Sequence, residues 1–65
     1  MSVMEFRVCR REANWIVTLG NAIYGDYLDK EQALLDAVDA ARDALQAGCE
    51  ARVWLSDRAT AARVL

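Results

Sequence analysis

Histidine and proline are absent from this 65-residue chain, glycine occurs three times, and cysteine only at Cys9 and Cys49. Without histidine, any general acid–base chemistry falls to carboxylates, tyrosines or a cysteine. A thiol with no imidazole beside it is a weak nucleophile, so the chain is read as not an enzyme, with no catalytic residue. Two thiols and no imidazole also cannot supply the four N and S ligands of a zinc site within one chain. No cofactor and no metal are expected. Two cysteines are too few for a disulfide framework, and neither sits in a C-x-x-C spacing. Reduced thiols in a reducing compartment are expected, with a single Cys9–Cys49 bridge as the alternative. No apolar run approaches the ~20 residues that span a bilayer. The start, MSVME, carries no basic segment and no apolar stretch of the kind that directs export. The expectation is a soluble, cytoplasmic protein that does not contact membrane.

What is present suits one small domain over residues 1–65. The apolar fraction is 55% with 28% charged residues, a globular rather than a disordered balance. A chain this short buries only about 60% of its unfolded surface, so a partner subunit is one expected source of stability. There is no internal repeat, linker or low-complexity segment.

Residues 4–9, MEFRVC, alternate with period two, placing Met4, Phe6 and Val8 on one face and Glu5, Arg7 and Cys9 on the other. Arg10 to Asn14 reads as a hairpin connection. WIVTL resumes the alternation, with Trp15, Val17 and Leu19 opposite Ile16 and Thr18. Gly20-Asn21 is a turn signal because both residues tolerate positive φ. AIYGDYL follows as a short third strand that Gly25 bends or bulges. Asp29 and Gln32 then form an acidic variant of the capping box at a helix start. Leu34, Val38, Ala41 and Leu45, with Ala37 beside them, make the apolar stripe expected to face the core. Ala33, Ala37, Ala40, Ala44 and Ala47 form a second stripe of small residues, which alanine's helix propensity alone would explain. Gly48 is placed to cap the helix C-terminus. ARVWLS alternates again, Asp57 to Thr60 turns the chain, and residues 61–65 are a candidate last edge strand. The expected fold is α+β: an antiparallel sheet of three to five strands with one helix on one face, in the order β-β-β-α-β with an optional final β.

The stretch GNAIYGDYLDKE raises the possibility of a phosphate-binding loop. Its glycines are five residues apart, and Asp26, Asp29 and Glu31 crowd the helix start against the single cation Lys30. An anion would be repelled there, so the stretch is read as a turn of the chain. The run WIVTLGNAIYGDYLDKEQALLDAVDAA, with Ala51 to Leu55 after it, resembles small bacterial domains of unknown function. These carry a strand led by tryptophan, a glycine turn, a short strand and an alanine-rich helix. The segment after Asp57 lacks the glycine usual in them. The resemblance implies a β-β-β-α-β fold reminiscent of double-stranded-RNA-binding and antitoxin-like modules, and it brings no catalytic residue.

By parity, the sheet face away from the helix carries Arg7, Cys9, Ile16, Thr18, Arg52 and Trp54. Such a face is ordinarily polar. Tryptophan and arginine together are enriched where binding energy concentrates, which makes Arg7, Ile16, Thr18, Arg52 and Trp54 the candidate interface. Charge is segregated as well. Asp26, Asp29, Glu31, Asp36, Asp39, Asp43 and Glu50 stand against Lys30 and Arg42, a net −5 around the helix. Glu5, Glu12 and Asp57 stand against Arg7, Arg10, Arg11, Arg52, Arg58 and Arg63, a net +3 in the strands. The expected function is a non-enzymatic protein-interaction module, self-associating as a homodimer through the open sheet face or an edge strand, with a further protein partner as an option. The alternative is nucleic-acid binding by the arginines and Trp54 of the sheet layer, against which the overall net charge of −2 counts.

Overall fold

A computed structural model describes residues 3–57 and 60–65. Strands β1 (Val3–Arg11), β2 (Asn14–Leu19) and β3 (Ala22–Tyr27) form the expected meander. Helix α1 (Lys30–Gln46), β4 (Glu50–Asp57) and β5 (Thr60–Arg63) follow. The strands make one five-stranded sheet in the order β3-β2-β1-β4-β5. The sheet is mixed, which corrects the expectation of an antiparallel one: β4 runs parallel to β1, and the other pairings are antiparallel. The reason lies in the crossover. β3 runs parallel to β1, α1 carries the chain back along the sheet, and β4 therefore sets out in the same direction as β3. It pairs with the edge of β1 that β2 leaves free, making β1 the central strand. The final strand is present as Thr60–Arg63 rather than 61–65, and part of the expected turn over Asp57 to Thr60 lies outside the described residues.

Both hairpins of the meander have two-residue loops. Gly20 opens the second at φ 61, the position that favours glycine in this turn class. Glu12 opens the first at φ 56, a left-handed conformation for a non-glycine residue, and Arg10 Nε donates to its carbonyl at 3.3 Å. The helix starts after Asp29, which has extended backbone (φ −120, ψ 144) but makes no side-chain cap bond, so the expected capping box is not formed. At the other end Gly48 (φ 89) follows the last turn as expected. Its amide donates to the Leu45 carbonyl at 3.1 Å, and the Cys49 amide to the Ala44 carbonyl at 2.9 Å, the paired bonds of a Schellman motif.

The helix turns its alanines, not its leucines, to the sheet. Ala33, Ala37 and Ala41 are fully buried with Phe6, Val8, Val17 and Val53. Leu34 and Val38 only flank this core, Leu45 is 45% exposed and Leu35 64%. The expected stripe is thus rotated by roughly 70° at 100° per residue. Small side chains let the helix axis approach the sheet, and the sheet's own large residues fill the layer.

The third strand needs a bulge to serve that core. The register of β3 shifts opposite Val17/Thr18, which leaves Tyr24 as the extra residue. Its ring meets Phe6 edge-on, with centroids 5.5 Å apart, on the helix side. Gly25 leaves room for the Tyr27 ring: a Cβ there would come within 2.7 Å of two ring carbons, so a larger residue would displace that ring. At the opposite edge the amides of Val64 and Leu65 both donate to the Val53 carbonyl, at 2.8 and 3.4 Å, so two residues oppose one and Leu65 joins the core margin.

Two outcomes follow from this packing. In urea titrations Ala37→Leu should destabilise the fold by about 1–3 kcal/mol through overpacking. Leu45→Ala should stay within about 1 kcal/mol, because Leu45 is a surface side chain. Burial, then hydrogen bonding to and the charge of Asp36, push the Tyr27 hydroxyl up to about 12. The unfolded chain releases that proton near 10. Stability contributed by neutral Tyr27 is therefore complete below pH 10 and lost as pH rises through 12. Ultraviolet titration of the phenolate should show one tyrosine ionising late, and Asp36→Asn should bring it down.

Candidate interaction surface

The face of the sheet away from α1 is built by the odd residues of β1 and the even residues of β2 and β4, as parity requires. Register brings the five candidate residues together there. Thr18 pairs with Arg7, and Arg7 with Trp54. The row extends at both ends to residues that parity alone does not find, Ile23 opposite Thr18 and Arg63 opposite Trp54. Trp54 is therefore flanked by an arginine on each side. The neighbouring row runs Asp26, Ile16, Cys9, Ser56, Ala61. Arg52 lies opposite Glu5 across the parallel β1–β4 pair.

One side-chain bond organises this face. Trp54 Nε1–H donates to Glu5 Oε1 at 2.8 Å in a partly buried setting. The acceptor is two residues along β1 from Trp54's direct neighbour Arg7, so the bond is a diagonal cross-strand contact. It holds the indole against the sheet and leaves it half-buried. A tryptophan fixed in this way loses little freedom when something packs on it. Arg7 and Arg63 are exposed, whereas Ile16, Thr18 and Arg52 are half-buried. Two shallow depressions open at the ends of the face. One is lined by Glu5, Arg7, Thr18, Gly20 and Asn21, the other by Cys9, Arg10, Glu12, Ser56 and Asp57.

The two thiols are free and far apart. Cys9 pairs with Ser56, whereas Cys49 immediately precedes Glu50, which pairs with Val3. Six residues of strand separate those positions, about 20 Å, which excludes the alternative of a Cys9–Cys49 bridge within the fold. Among the described residues no three His, Cys, Asp or Glu side chains gather to hold a metal. No described helix is long and apolar enough to cross a membrane. The glycine stretch that suggested a phosphate loop is a hairpin turn and a bulged strand, with Asp29 and Glu31 at the helix start.

Comparison of the chain with protein-family models, with curated proteins and with solved structures gives no match.

The Glu5–Trp54 bond has a measurable worth. Trp54→Phe and Glu5→Ala should each destabilise by about 1–2 kcal/mol, and a double-mutant cycle should return about 1 kcal/mol of coupling, as for a partly buried bond to a charged acceptor. Urea denaturation of the two single variants and the double variant checks it.

Proposed function

We propose that the chain is a small non-enzymatic protein-interaction module whose contact surface is the open face of its sheet. The observation that supports this reading most is the row Ile23, Thr18, Arg7, Trp54, Arg63, with the indole held by Glu5. A fixed aromatic with arginines on both sides suits a partner surface that presents an apolar side chain ringed by carboxylates. Self-association on this face is the other form of the proposal, carried by Ile16, Ile23 and Trp54. It has to offset two copies so that Arg7 and Arg63 do not face their counterparts, whereas an acidic partner needs no offset. The edges are poorer sites for added strands, because β3 is bulged and β5 has four residues.

The same row supports a second reading, in which a single-stranded nucleic acid lays a base on Trp54 and phosphates on Arg7 and Arg63. The acidic layer around α1 opposes it, because the net charge of −2 weakens attraction for a polyanion beyond the immediate face.

The two readings separate in one titration. On adding a short glutamate-rich peptide that contains one leucine, the Trp54 indole N–H resonance and the Arg7 and Thr18 amides should shift. The Trp15 indole, on the helix side, should not move. A single-stranded oligonucleotide should shift the Trp54 signal only weakly and only at low salt. Larger shifts with the oligonucleotide, falling steeply with salt, would favour the second reading. Movement of Trp15 alone would contradict both.

A further inference from the structure

Rotation of α1 onto its alanines leaves one flank of the helix with apolar side chains and no partner. A shallow depression there is lined by Glu31, Leu34, Leu35, Val38, Asp39 and Arg42. Leu35 is 64% exposed, and Leu34 and Val38 are half-buried against the core margin. This flank is separate from the sheet face, on the other side of the molecule.

The order of residues along it says what covers it. Glu31, Leu35, Val38 and Arg42 fall on one narrow stripe at 3.6 residues per turn, and Glu31 and Arg42 stand about 16 Å apart along the axis. Leu35 and Val38 lie symmetrically between them, about the point midway between Asp36 and Ala37. The stripe is therefore its own complement when reversed. We propose that α1 pairs with α1 of a second copy of this chain, antiparallel, about a two-fold axis through that midpoint. Glu31 of each copy then stands opposite Arg42 of the other, at both ends of the contact. Between them Leu35 meets Val38 across the axis, and the two Leu34 side chains close one margin. Asp39 sits at the other margin, three residues before Arg42 on its own helix.

Charge selects this arrangement over its rivals. A parallel pair in the same register would set Glu31 on Glu31 and Arg42 on Arg42, and like charges juxtaposed at an interface are strongly disfavoured. An antiparallel pair shifted by one turn loses both ion pairs and the Leu35–Val38 match together. The contact is isologous and closes at two subunits, so it does not propagate. It also covers the apolar area that a 65-residue chain can least leave in water. The dimer leaves both sheet faces pointing outward, so the proposal is independent of what those faces bind.

Sedimentation equilibrium from micromolar to millimolar protein tests it. A monomer–dimer equilibrium is expected. Leu35→Glu should weaken it by at least about tenfold and leave the circular dichroism spectrum unchanged, because that side chain is mostly exposed. Glu31→Arg alone should weaken it as well, and Glu31→Arg with Arg42→Glu together should restore it, a rescue that a purely structural effect would not give. Trp54→Glu should leave it intact. A monomer at every concentration, a dimer indifferent to Leu35→Glu, or a dimer lost in Trp54→Glu would each overturn the proposal. The last of these would move self-association to the sheet face.

Discussion

The close approach of three alanines to the sheet decides the rest of the molecule. Ala33, Ala37 and Ala41 lie one turn apart and are fully buried against Phe6, Val8, Val17 and Val53. A methyl group occupies little depth, so the helix sits low on the sheet and the larger strand residues fill the layer between. Once that face is chosen, the angular positions of all other helical residues are determined at 100° per residue. Tyr24 and Tyr27 line one side of the helix, where Asp36 and Ala40 look. Leu34, Leu35, Val38 and Leu45 look to the other side, where Leu34 and Val38 only flank the core and Leu35 and Leu45 are exposed.

Two surfaces of different character result. The open sheet face is mixed, with Arg7 and Arg63 on either side of a fixed tryptophan. The helix flank is apolar, with Glu31 and Arg42 at matched distances from its centre and Asp39 at one margin, the pattern from which the dimer is argued. Each is made mainly from residues outside the fully buried core, and they lie on opposite sides of the sheet. A small domain can thus gain stability from a second copy on one side while keeping the other side for recognition. The Glu5–Trp54 bond ties the indole to its own sheet, which limits the freedom it has left to lose.

Much of this was legible in the sequence. Period-two alternation in MEFRVC, WIVTL and ARVWLS placed three strands with their correct faces, and Gly20-Asn21 and Gly48 marked a turn and a helix end that the structure bears out. The parity of those strands also put Arg7, Ile16, Thr18, Arg52 and Trp54 on one face. The parallel β1–β4 pairing was not legible, because strand order arises from the crossover and leaves no mark in local periodicity. Ala37 and Ala41 belong to the expected core stripe, but the leucines draw its centre away from Ala33 for a related reason. Hydrophobicity ranks leucine above alanine, but packing beside a sheet already rich in large residues selects for small volume. Gly25 marked a bulge in β3 and the chain's end a last strand, but which residues the bulge and the β5 pairing would bring onto the face, Ile23 and Arg63, has no local signature. Glu5 and Trp54 are 49 residues apart, so no spacing could have connected them.

The packing of α1 is tested most directly by nuclear Overhauser contacts from the helix methyl groups in the Leu35→Glu variant. Contacts are expected from the methyls of Ala33, Ala37 and Ala41 to Phe6, Val8, Val17 and Val53, and none from Leu45 to those residues. Contacts from Leu45 to that set, with the Ala37 methyl facing water, would contradict it. The helix would then sit on its leucines, and the flank from which the dimer is argued would not exist.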